Sequence, residues 1–342
     1  MSAAAGDERP VSETYFANAI AAALREAMEE DESVIVLGED VEISTIGCTK
    51  GLIERFGPNR VRNSPISEAT VVGACVGAAA TGLRPVMDLM FSSFFYVAMD
   101  QVANQAARLR YMSGGQVELP LVYFAGSGPS GSAAAQHSEN PHPMLMHLSG
   151  IKVVFPSTPA DAKGLLLASI RDPNPVVYLL DLVLAGSKGP VSEEPYVIPL
   201  GTGDIKRAGS DVTVVAIASA VAQALEVAAE LEASEGLSVE VLDPRTLVPL
   251  DWDLLIGSVR RTGRVVVVDP ARRTCGAAAE IVSRVVESAW AELKAPPVRV
   301  TWEDVPMPFS PPLEQAVVVQ ADQIRDAVLA TVGRAPAAVV DR

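Results

Sequence analysis

Residues 151–181 read IKVVFPSTPADAKGLLLASIRDPNPVVYLLD: an apolar run of strand length, a segment long enough for a helix, and a second apolar run. Two such runs joined by a helix-length segment cannot form a tight hairpin, and the natural connection is a crossover that lays the strands parallel. The pattern continues upstream. An amphipathic helix is expected from Ser12 to about Glu30, then a short strand in ESVIVLGED, a small-residue helix over 69–81, a strand in LRPVMDLMF, a long helix from Phe94 to Tyr111, and a strand in LPLVYFAG. This alternation predicts an α/β fold with a mainly parallel, doubly wound sheet.

Downstream, between about Leu184 and Ser210, the chain turns rich in Gly, Pro and charge (AGSKGPVSEEPYVIPLGTGDIKRAGS), as expected where it crosses from one core to another. DVTVVAIA, LSVEVLDP, GRVVVVDP and PVRVTWE then repeat the strand–helix pattern with helices at 219–233, 251–261 and 276–293. The reading is a first domain over 12–185, a linker over 186–210 and a second domain over 211–335, with the tail after Ala335 expected to fray.

The chain has 342 residues, 49% of them hydrophobic and 5% aromatic, so Ala and Val must fill much of the interior of two cores. Its 42 acids against 27 basic residues give a net charge of −15, which disfavours nucleic acid and anionic membrane as partners. The apolar stretch Ala69 to Leu83 is too short to span a bilayer and is built of Gly and Ala, so it reads as a buried helix. Cys48, Cys75 and Cys275 show no CxxC spacing, arguing against disulfides and structural zinc. The first residues resemble neither a secretory signal nor a transit peptide, and a cytoplasmic location is expected.

No GxGxxG lies between a strand and a helix, and no Walker A lysine motif occurs; GSGPSG at 126–131 reads as a flexible turn. Glu68 opens the small-residue helix, where an acid favours the positive helix end. The same carboxyl stands beside almost wholly apolar sequence, a setting in which it could share a proton. Gly73 and Gly77 suit close packing at a subunit or domain interface. Phe91, Phe94, Phe95 and Tyr96 cluster at a strand-to-helix junction, as core residues do, or as a stacking platform for a flat heterocycle at the carboxyl end of the strand. His137, His142 and His147 recur every fifth residue, which is not a zinc spacing. His137, between a Gly-rich turn and a strand, is the best proton-transfer candidate.

Taken together, VIVLGEDV, KGLIERFGPNRV, PISEATVVGACVGAAATGLRPV, DQVANQAARLRYMSGGQ, QHSENP with His147 ten residues after His137, and LDPRTLVPLD resemble the β subunit of the thiamine-diphosphate-dependent E1 component of 2-oxo acid dehydrogenase complexes, a relative of transketolase. The resemblance runs from about Ser12 to Val332. It implies a pyrimidine-binding domain followed by a transketolase-type C-terminal domain, both doubly wound. It further implies that Glu68 hydrogen-bonds N1′ of the aminopyrimidine, that Phe94, with Phe91 beside it, packs against that ring, and that His137 takes part in proton handling and lipoyl transfer. Leu121, Ser169, Ile170, Asp172 and Asn174 match a structural potassium site of several relatives. The GDG motif with downstream Asn that holds diphosphate and Mg²⁺ is missing, so the resemblance implies a separate α subunit in an α₂β₂ heterotetramer. The implied activity is decarboxylation of a small 2-oxo acid and transfer of the acyl unit to a lipoyl group of E2. Ser93, His142 with Pro143, and DLVLAGSKG depart from the family pattern. Two alternatives accompany this reading: transketolase-like ketol transfer, for which His142 would be the loose phosphate-binding candidate at the pocket mouth, and a non-catalytic scaffold subunit.

Overall fold

The computed structural model describes residues 10–129 and 131–334; Ser130 of the GSGPSG run and the tail after Ala335 lie outside the described residues. The strands, in chain order, are β1 (Val11–Tyr15), β2 (Val34–Gly38), β3 (Val61–Asn63), β4 (Arg84–Phe91), β5 (Val122–Ser127), β6 (Lys152–Val154), β7 (Val176–Asp181), β8 (Lys188–Ser192), β9 (Asp204–Arg207), β10 (Val212–Ala216), β11 (Val239–Asp243), β12 (Thr246–Val248), β13 (Val265–Arg272) and β14 (Val298–Trp302). Seven form one sheet in the order β12-β6-β7-β5-β4-β2-β3, parallel except for β12, which pairs antiparallel with β6. Five form a second sheet, β14-β13-β10-β11-β9, parallel except for β9. The α/β class read from the alternation is the one observed.

Helices Phe16–Glu30 and Pro159–Arg171 cover one face of the first sheet, burying Phe16, Ile20, Leu24, Leu165, Leu166 and Ile170 against Val36, Val86 and Tyr178. On the other face, Val71, Val72, Cys75 and Val76 of the helix Glu68–Ala80 pack on Met87, Leu89 and Phe95. That core continues without a break into the second half of the chain through Val215, Ile217, Leu255, Val259 and Val267. The two sheets therefore share an apolar layer, and β12, from the second half, completes the edge of the first sheet.

Two local readings change. The first helix begins at Phe16 rather than Ser12, because Val11–Tyr15 is drawn into an antiparallel ribbon with Lys188–Ser192 and Lys188 sits over the Tyr15 ring. A partner more than 170 positions away leaves no local trace. The expected helix Phe94–Tyr111 is broken into a 3₁₀ turn (Ser92–Tyr96), a π segment (Gln101–Ala106) and a short α-helix (Ala107–Met112). Ser92 and Ser93 spend their hydroxyls on carbonyls of a distant loop, which fixes the start of the segment in a tighter turn than an α-helix.

Candidate active site

The strand β4 carries the candidate site. At its carboxyl end Phe91 leads into the turn bearing Phe94, and the ring of His137, from the loop after β5, stands edge-on to both. The ring centroids lie 4.8 Å from Phe91 and 5.5 Å from Phe94 with interplanar angles of 85° and 82°, while Phe91 and Phe94 are 6.0 Å apart. All three are partly exposed, so part of each ring is open to a ligand, while Phe94 also packs on the core. Phe95, by contrast, is fully buried against Tyr123 and is a core residue.

Glu68 is the first residue of the helix Glu68–Ala80, and Ser67 makes no side-chain cap to it. Its neighbours form a narrow cleft of about 10 Å³ lined by Glu39, Ser64, Pro65, Ile66, Ser67, Glu68, Val71, Met87, Asp88 and Leu89. Three carboxylates and no lysine or arginine line it, which favours a ligand that brings a proton or positive charge. Asp88, within β4, accepts a hydrogen bond from the Met90 amide at 2.8 Å, and burial pushes its carboxyl up to about 6. No sequence motif marks Glu39 or Asp88 as site residues; an acid inside the apolar strand LRPVMDLMF is the one local signal for Asp88. Glu68 itself is only partly buried, so this chain alone does not complete the dry surroundings expected for it.

His142 and His147 separate from His137. His147 is exposed. His142 is fully buried, its Nε2 lying 2.8 Å from Asp269 Oδ1, so it stands at no pocket mouth and the sign expected for a phosphate-binding role is absent. A larger hollow lined by Glu30, Asp31, Arg84 and Arg171 opens at the amino ends of the strands, away from this chemistry. Its arginines are paired with its acids.

The five residues expected around potassium have their oxygens engaged. Asp172 accepts from the Asn174 amide at 2.9 Å and pairs with Lys152; Asn174 Oδ1 and the Ile170 carbonyl accept from Arg110 and Arg84, each at 3.0 Å. The Leu121 carbonyl accepts from Val176, and the Ser169 hydroxyl donates to Leu165. Lys152, Arg84 and Arg110 thus bring positive charge to these oxygens. Among the described residues no group of three His, Cys, Asp or Glu side chains is placed to hold a metal.

Two family models match: "Transketolase, pyrimidine binding domain" over residues 13–181 and "Transketolase, C-terminal domain" over 201–324. The acetoin:2,6-dichlorophenolindophenol oxidoreductase subunit beta of Bacillus subtilis is 42% identical over 332 residues, covering 93% of this chain and 97% of that protein. The pyruvate dehydrogenase E1 component subunit beta of the same organism is 41% identical, covering 85% and 90% of the two chains. This chain belongs to the family of transketolase-like E1 β subunits. A solved split-gene transketolase, described as an inactive beta4 tetramer, superimposes on this E1 β-type chain with a TM-score of 0.75 at 27% identity, covering 94% of this chain and 99% of that one.

Proposed function

We propose that this chain is the β subunit of a thiamine-diphosphate-dependent 2-oxo acid dehydrogenase E1 and holds the pyrimidine end of the cofactor. The observation that carries the reading is the juxtaposition along β4 of a cleft at Glu68, whose charged lining residues are all acids, with the ring cluster Phe91, Phe94 and His137. Acidic lining suits an aminopyrimidine whose N1′ carries a proton, and the partly exposed Phe94 offers a face for its ring. Bound thiamine diphosphate supplies the electron sink that lets a 2-oxo acid lose CO₂. Glu68 shares the N1′ proton, Phe94 with Phe91 fixes the ring plane, and His137 moves a proton during transfer of the acyl unit to a lipoyl group of E2.

The cleft holds only about 10 Å³, room for about one water, far below the roughly 300–1,000 Å³ of sites that enclose a whole small ligand. With no GDG motif in the chain, that supports a site shared with an α subunit that holds the diphosphate and Mg²⁺ in an α₂β₂ heterotetramer. The net charge of −15 suits a basic docking domain on E2 and not a membrane or nucleic acid. Three free cysteines, two of them buried, fit a reducing cytoplasm. No helix among the described residues is long and apolar enough to cross a membrane.

Co-purification with the α subunit and dye-linked assay with pyruvate, branched-chain 2-oxo acids, acetoin and ketose phosphates tests the reading. Thiamine-diphosphate-dependent dye reduction with a 2-oxo acid is expected. Turnover of ketose phosphates alone would favour ketol transfer, and turnover of none would favour a scaffold.

A further inference from the structure

The loop that carries His137 is held from two sides, and one of them is the C-terminal domain. From its own domain, Ser93 donates to the Gln136 carbonyl, while Ser92 and the Gly128 amide donate to the Glu139 carbonyl at 2.9 and 3.0 Å. From across the interface come three partners within four residues at the end of β13. Arg272 grips the Glu139 carboxylate with both nitrogens of its fork, at 2.6 and 2.8 Å. The Pro270 carbonyl accepts from Asn140, and Asp269 pairs with the buried His142. These anchors are themselves fixed: Asp269 caps the helix Ala277–Ala289 through the Ala278 amide at 2.9 Å, and Arg272 Nε donates to the Val305 carbonyl at 3.1 Å.

A two-pronged arginine–carboxylate contact fixes orientation as well as distance, since both hydrogen bonds must be kept at once. Glu139 lies two residues from His137, so a shift of its carboxylate is transmitted to the imidazole, which meets Phe91 and Phe94 through edge contacts. The Ser92 and Ser93 bonds fix the loop's height over β4, and the β13 bonds fix how far it leans toward the second sheet. No titration is required for this arrangement to act.

We propose that Arg272, supported by Asp269, is a positioning residue: the C-terminal domain sets the place of His137 by clamping Glu139 and His142. The clamp rests on the geometry above; its consequence for catalysis rests on the reading of His137 as the acyl-transfer histidine. Arg272 is partly exposed, so R272Q should fold, and R272K keeps the charge while losing the fork.

The test uses the enzyme assembled with its α subunit. Amide hydrogen exchange over residues 134–142 should rise by about tenfold in R272Q and by less in R272K, with other protected segments unchanged. Acylation of a lipoyl domain should fall by about tenfold in R272Q, more than dye reduction falls, and recover in part in R272K. A merely structural role would lower both rates together and leave R272K no better than R272Q. Exchange in R272Q equal to wild type overturns the clamp. A loosened loop with acylation intact, in an assay where His137→Ala abolishes acylation, overturns the positioning role. If His137→Ala leaves acylation intact, the reading of His137 fails instead, and the exchange measurement alone still decides the clamp.

Discussion

Asp88 gives the account a quantitative handle. Its carboxyl lies in β4 with one hydrogen-bond donor, the Met90 amide, and burial raises it from 3.8 to about 6. A raised acid binds its proton more tightly in the folded chain than in the unfolded one, so folding is penalised as pH rises from about 4 through about 6, and the full penalty applies above that. Two pH units at about 1.4 kcal/mol each set a ceiling near 3 kcal/mol. Because the residue keeps some surface toward the cleft, solvent lowers the expectation to about 1–2 kcal/mol. In Asp88→Asn the Oδ1 acceptor for Met90 remains and the ionisation is gone. Thermal melts of wild type and variant should therefore coincide near pH 4 and diverge toward pH 8, with Asn the more stable by a few degrees. Other raised acids, Asp181 and Asp243, are common to both proteins and cancel in the difference. Parallel curves at all pH values, or a variant less stable at pH 8, would refute the argument.

Further expectations are more direct. Calorimetry of the isolated chain should show negligible binding of thiamine diphosphate with Mg²⁺; micromolar binding by this chain alone would end the shared-site reading. His137→Ala should lower lipoyl acylation far more than dye reduction in the assembled enzyme, and equal losses would remove its assigned role. Association with a cognate E2 should slow as ionic strength rises from low to physiological, and a salt-independent stopped-flow rate would leave the charge of −15 as incidental.

Much of this was legible in the sequence because it is local. Strand–helix alternation follows from which residues are apolar over five to fifteen positions, and it puts the Phe91–Tyr96 cluster at the carboxyl end of a strand, where the structure brings the His137 ring within 5.5 Å of Phe94. What was not legible depends on distant partners. Val11–Tyr15 is a strand only because Lys188–Ser192 lies beside it. His142 sits in a polar stretch, QHSENPHP, and reads as exposed until Asp269 is brought to it by the second sheet. The break after Phe91 follows from serine hydroxyls that find carbonyls more than 40 residues downstream. Asp88 and Glu39 join Glu68 only when β2 and β4 pair beneath the helix, so the acidic character of the cleft belongs to the fold and not to any motif.

The most direct test of the central claim is the steady-state rate of Glu68→Gln in the assembled α/β enzyme with its best 2-oxo acid. Glutamine nearly preserves volume and cannot share the N1′ proton. With fold and assembly intact, the dye-linked rate should fall by about 10²–10⁴-fold, the usual cost of losing a positioned proton-transfer group. A rate near wild type would reduce Glu68 to a helix-end acid and contradict the account.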